Sequence, residues 1–494
     1  MWHAGVSWGL LILVFSAVLL SGRSAAAQPV TAEVEALRRE LEQLRSEFRQ
    51  VIQEKGRRIE ALEQQLQEMR ERSQASAQPA PVESALDRAM KDLGGTEGQV
   101  SPTGKPDILS KQVGGATLRL IDISLDGLFG VGASTERDES LQSLQGGGHD
   151  PRRRGFTVQN VELSLTGAVD PYFNAEAHIV YALDPITGES VVELEEAFFT
   201  TQSLPLGLQL KGGHYFTEFG LINPAHPHAW HWQDQPIINT RLFGPDGMRA
   251  PGARAAWLVP VPWYSELYAG VQNANGETMA SFLANEEFFE ERPIGGLAFV
   301  DRDVRNLGDL LYFGRWENSW DLSQEMTAKI GFSGLHGPNA SGQAGETWIY
   351  GADLKVKWRP VQNDRGWPFF LWETEVMGRD YLVDRRNPNF VDRTLVDWGF
   401  YSQLLYGFRK SWGVGLRYEY AAASRGGSFG GTAADPFRDD RHRVSPLLLW
   451  HPTEFSRLRL QYNYDVAKHL DRNDAHSVWF GVEFMLGAHP AHKY

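Results

Sequence analysis

The chain has 494 residues, with 48 Lys and Arg against 62 Asp and Glu, a formal charge of −14. That balance argues against a nucleic-acid partner, which needs a basic face. The absence of cysteine excludes disulfide frameworks, thiol catalysis, Cys zinc sites and iron–sulfur clusters. At 42% hydrophobic and 12% aromatic residues, neither a disordered chain nor a helical multi-span membrane protein fits. A large soluble β protein and an outer-membrane barrel are left.

Leu10 to Leu20 form one apolar run, followed by a small-residue stretch ending at Ala27. The run is shorter than the about 20 residues a spanning helix needs, so residues 1–27 are expected to be a signal peptide. From Val34, apolar residues fall at Leu37, Leu41, Leu44, Phe48 and Val51, then at Ile59, Leu62, Leu66 and Met69. These alternating steps of three and four predict a periplasmic coiled coil over 28–72, with a stutter between the two sets. Residues 73–113 turn to Ser, Ala, Gln, Pro and Gly, the composition of a flexible linker.

From 114 to 494 the pattern is period two. Leu458, Leu460, Tyr462 and Tyr464 share one face, against Arg457, Arg459, Gln461, Asn463 and Asp465 on the other. Val414, Leu416, Tyr418 and Tyr420 oppose Gly415, Arg417 and Glu419 in the same way. Such segments, about ten residues long with one apolar face, predict an all-β fold: a transmembrane antiparallel β-barrel of about 16 strands. Trp316, Trp348, Trp358, Trp398, Trp412 and Trp479 sit where strand ends are expected, as interfacial girdles require. Short turns alternate with long connections at 135–153, 218–250, 275–306, 380–392 and 424–440. A barrel of this strand number leaves a lumen that side chains do not fill.

Several segments then resemble the phosphate-selective porin O and P family. VQNVELSLTGAVDPYFNAEAHIVYAL (158–183) is similar to that family's hairpin of a strand closing in Gly and an aromatic-rich return. VELEEAFFT (192–200) and LPLGLQLKGGHYFTEFG (204–220) resemble the two strands that follow it. The chain departs from the family by ending in HPAHKY rather than on a strand-terminal Phe. The resemblance implies a homotrimeric channel in the bacterial outer membrane, surrounded by lipid, with anions as a candidate cargo.

The long stretch 218–250 has the length and position of a loop that folds into the pore. Arg241, Asp246, Arg249 and Arg254 are candidates to line a constriction, with Lys355, Lys357, Arg359, Arg417, Arg457 and Arg459 on the inner faces of later strands. Clustered Lys and Arg favour anions, and pairing with facing carboxylates is the alternative. His226, His228 and His231 form an H-x-H-x-x-H spacing that suits zinc or copper, with His214 and Asp234 nearby. No nucleophile elbow, H-E-x-x-H or phosphate loop is present, so no enzymatic activity and no resident cofactor are expected. The expected function is an outer-membrane porin passing small hydrophilic solutes or ions. Two alternatives are a metal-linked receptor reading the histidine loop and an envelope tether contacting the cell wall or a periplasmic partner through the coiled coil.

Overall fold

The computed structural model describes residues 110–113, 116–119, 121–184, 188–390, 392–424 and 435–487. The expected signal peptide, the coiled coil, most of the linker and the terminal HPAHKY lie outside these residues. Two short strands, β1 (Ser110–Val113) and β2 (Ala116–Arg119), form an antiparallel hairpin.

The remaining strands close into one barrel. Its first wall is β3 (Asp122–Ser134), β4 (Gly155–Ala168), β5 (Phe173–Leu183), β6 (Ser190–Thr201) and β7 (Leu208–Phe216). Then come β8 (Arg249–Leu258), β9 (Tyr264–Asn273), β10 (Leu310–Asp321), β11 (Met326–Pro338), β12 (Glu346–Trp358) and β13 (Phe369–Leu382). The last are β14 (Thr394–Arg409), β15 (Trp412–Ser424), β16 (Arg441–Thr453), β17 (Ser456–Ala467) and β18 (Asp474–Gly487). Each strand pairs with the next, and β18 returns to β3, placing Glu483 opposite Leu128 and Trp479 opposite Gly132. Closure pairs each wall strand with two neighbours, as a bilayer requires, and where β6 and β7 pair over only four residues, Glu196 accepts from the Phe216 N–H and Thr201 from the Leu210 N–H. Among the described residues no helix is long and apolar enough to cross a membrane.

The barrel is inside out relative to a soluble protein. Along β17, Arg457, Arg459, Gln461, Asn463 and Asp465 are buried, while Leu460 is 45% exposed and Tyr464 37%. Along β15, Arg417 and Glu419 are buried and Leu416 is 49% exposed. Alternation therefore sends charge into the interior and apolar side chains outward, the arrangement that lipid stabilises. Trp316, Trp348 and Trp398 face outward, and Trp412 stacks on Trp450 at a centroid distance of 5.4 Å. Trp479 departs from the expected girdle. It is fully buried, because its position on β18 shares a face with Ser477 and Glu483, and it packs against Leu141 and Leu144.

Tight turns close one end of the barrel, between β4 and β5, β14 and β15, and β16 and β17. The long connections gather at the other end and, among the described residues, carry the short α-helices α1 (Asp138–Leu144), α2 (Ile237–Phe243) and α3 (Glu286–Glu291). Phe282 and Leu283, from the connection between β9 and β10, pack into the same apolar cluster as the β7–β8 connection.

Candidate functional site in the barrel lumen

The connection between β7 and β8, residues 217–248, folds into the barrel. Its apolar residues Phe219, Ile222, Trp230, Ile237, Ile238, Leu242 and Phe243 are buried against Leu311, Phe313, Leu335, Ile349, Met377 and Tyr401 of the wall. Burying each large apolar side chain contributes roughly 1.5–3 kcal/mol, so the loop is a packed element. Pro236 opens α2 and Gly244 closes it at φ 86°, a left-handed position that glycine adopts without strain. The wall makes room for the loop: a Cβ on Gly415 would lie 2.9 Å from the Trp232 ring, and one on Gly481 2.1 Å from Gln233 Oε1.

Polar anchoring centres on Asp234. Its carboxylate accepts from Gln461 Nε2 and Asn463 Nδ2, each at 2.8 Å, and from Arg443 at 3.0 Å, and it also meets Arg417. Burial alone would raise this carboxyl, but Arg417 and Arg443 outweigh it and hold it at about 2. Nearby, Trp232 Nε1 donates to the Ser445 carbonyl at 2.9 Å, and Gln233 N–H to Gln461 Oε1 at 2.8 Å. On the side of β13, Asn239 donates to Glu375 at 3.3 Å, and the Leu221 N–H also reaches that carboxylate.

Most of the arginines expected to line a constriction are engaged. Arg417 pairs with Asp234 and, at 2.7 Å, with Glu419. Arg457 and Arg459 share Glu483. Arg457 also donates to the His228 carbonyl at 2.7 Å, and Arg459 to the carbonyls of Trp230 and Trp232 at 3.3 and 3.1 Å. Arg241, on α2, donates to the carbonyl of Arg438 at 3.4 Å and to that of Asp439. Burial brings its guanidinium down to about 10. Arg249 opens β8, pairs with Glu193 and donates to the Asp246 carbonyl, while Arg254 pairs with Glu218 at 3.2 Å. Lys355 pairs with Glu373 at 2.7 Å. Lys357 and Arg359 stand apart from the loop, lining a recess of about 550 Å³ with Asp321, Glu325 and Thr327 at the short-turn end.

The three loop histidines do not come together. His226 caps a single 3-10 turn that contains His228, and their rings stack at 5.5 Å. His231 lies apart from them, against Glu373 at 3.9 Å, where burial pushes its imidazole down to about 4. The H-x-H-x-x-H spacing therefore builds no joint site. His226 instead meets wall residues outside that motif: Glu162 at 3.3 Å, Glu195 at 2.8 Å and Glu196 at 2.9 Å. His228 reaches Glu162 at 3.1 Å, and His178 reaches it at 3.0 Å. Of these wall groups, period-two reading places Glu162 on the inner face, but Glu195 and Glu196 converge through a bulge. His178 pairs with Glu196 and Ile179 with Leu194, leaving Glu195 the extra residue, so both adjacent carboxylates are buried.

The chain is 30% identical over 403 residues to a protein of Aquifex aeolicus (strain VF5) described as uncharacterized, a match covering 76% of this chain and 80% of that one. No protein-family model matches. Among solved structures, OprB of Pseudomonas putida aligns with a TM-score of 0.48 at 10% identity, covering 74% of this chain and 94% of that one. The outer-membrane channel DcaP of Acinetobacter baumannii aligns at 0.46 and 10%, covering 74% and 96%. An anion-selective porin from Comamonas acidovorans aligns at 0.43 and 8%, covering 75% and 99%.

Proposed function

This chain belongs to the family of the Aquifex aeolicus protein, and we propose that it is an outer-membrane porin, a passive channel for small hydrophilic solutes whose bore is set by the inserted loop 217–248. The observation that carries this reading is the inside-out barrel: charged and amide side chains line the interior of strand after strand, and apolar ones cover the outside. A closed sheet of sixteen strands is wider than its own side chains fill, and here a loop from the same chain occupies part of the difference. A receptor that must bind cargo tightly has no need of a wall so fully paired with itself, whereas a sieve needs a rigid constriction.

The phosphate selectivity named in the family resemblance is not carried over, because Arg417, Arg457 and Arg459 are committed to carboxylates and loop carbonyls. The expected homotrimer and the periplasmic placement of residues 28–72 belong to this proposal, and cross-linking in intact outer membranes tests the former. The channel itself is tested by swelling of liposomes carrying the full chain in neutral sugars of graded size. Rapid swelling with small sugars and none with large ones is expected. A folded barrel that admits none of them overturns the reading.

A further inference from the structure

We infer that the loop is stapled to the wall by a divalent transition-metal ion, with Glu162, His178 and His226 as ligands and Glu195 and His228 completing the surround. Ligand atoms of the first three lie within 4.8 Å of one another. The ion-pair separations around them run from 2.8 to 3.3 Å. Ligands at about 2.0–2.1 Å from a tetrahedral zinc ion are about 3.3 Å apart. The rings of His178 and His226 are 4.5 Å apart, and one serine, Ser164, reaches both Glu162 Oε1 at 2.8 Å and His178 Nδ1 at 2.9 Å. That serine stands where a second-sphere group would orient a ligating carboxylate.

Two observations separate this cluster from an ordinary buried ion-pair network. Elsewhere in the lumen, Glu483, Asp465 and Asp397 each meet two arginines. Among the described residues, the ion-pair partners of Glu162, Glu195 and Glu196 within 4 Å are all histidines. Imidazole with carboxylate is a metal-binding donor set, and guanidinium is not. In addition, His226 Nδ1 and Glu195 Oε2 are buried 2.8 Å apart, yet neither makes an aligned hydrogen bond. The β6 bulge supplies the extra carboxylate, and bulges recur where a strand must re-aim a side chain.

The ligands come from both sides of one joint: His226 and His228 from the loop, Glu162 from β4, His178 from β5 and Glu195 from β6. A bound ion therefore fixes the loop to β4–β6, a part of the wall separate from its Asp234 anchor on β15–β17. The site does not depend on solute passage, so binding is measured apart from conduction. Zinc is titrated calorimetrically into the EDTA-stripped full chain in detergent, and zinc K-edge absorption is recorded on the loaded protein. One zinc per chain is expected, with affinity lowered at least ~100-fold in His178→Gln and in His226→Gln. His231→Gln, on the far side of the loop, is expected to bind as the parent does. The absorption spectrum should carry scattering from at least two imidazoles. Absence of a stoichiometric site, or unchanged binding in the two variants, overturns the inference. A spectrum without imidazole scattering overturns it even where a variant does not fold.

Discussion

Arg443, on the barrel wall, meets Asp234 of the inserted loop at 3.0 Å, across 209 residues of sequence. The same guanidinium holds Asp465 of the neighbouring strand at 2.8 Å, so one arginine joins wall to wall and wall to loop.

Asp234→Ala removes four side-chain partners of the loop at once. Breaking a buried ion pair typically costs about 3–5 kcal/mol, because a charge is left without a partner. Here Arg417 keeps Glu419 and Arg443 keeps Asp465, so the lower end, about 3 kcal/mol of loop docking, is expected. Limited proteolysis of the folded barrel should cut within 217–248 in the variant and leave the parent intact.

Gly415→Val places side-chain atoms where the Trp232 ring now lies, 2.9 Å from the position of a Cβ. An aromatic ring packed on Leu405 and Leu447 cannot swing aside as a flexible chain end can. The barrel should still form, read as a heat-dependent shift in gel mobility like the parent's, while tryptophan fluorescence shifts to the red as Trp232 leaves its site.

Docking of the loop should depend on pH through Asp150 as well as Asp234. Asp150 accepts from the Gln235 and Gly147 N–H groups at 2.8 Å, and burial, reinforced by the charge of Asp234, pushes its carboxyl up to about 7. A carboxyl raised in the docked state favours docking while protonated, so its contribution fades as pH climbs from about 4 to 7. Asp234, held at about 2, acts oppositely: its contribution is complete above about 4 and is lost as pH falls below that. Protease susceptibility of the loop should therefore rise between pH 5 and 7.5. Asp150→Asn should flatten that slope, and an unchanged slope would remove Asp150 from the anchor.

Neighbouring residues of β17 should respond oppositely to substitution. Leu460 faces outward near mid-strand, and Leu460→Arg should cost about 2–4 kcal/mol of barrel stability in lipid vesicles, measured by denaturant unfolding. Gln461 faces inward onto Gln233 and Asp234, so Gln461→Ala should leave the unfolding midpoint near the parent's and loosen the loop.

The wall was legible in the sequence because lipid and lumen impose opposite polarities on alternate residues. The about 16 strands read from that alternation correspond to the sixteen strands of the closed barrel, though the alternation does not place their ends. Ends are set by which partner residues pair, information the alternation does not carry. Trp479 misled for the same reason: an aromatic near a strand end suggests a girdle, yet its parity with Glu483 already puts it inside. The loop's entry into the barrel was suggested by its length, but its contacts were not. Pro236 and Gly244 bracket α2 and were a readable signal for that helix. The partners of His226 were not readable, because strict alternation separates Glu195 from Glu196 and only the bulge reunites them.

Single-channel recording in planar bilayers tests the central claim most directly, comparing the parent chain with Asp234→Ala under one KCl concentration. The account predicts small, stable openings for the parent and larger, noisier ones for the variant, because the same wall then surrounds a loosened loop. Equal conductance in the two would place the loop outside the conducting path, and silence from both folded barrels would contradict the channel itself.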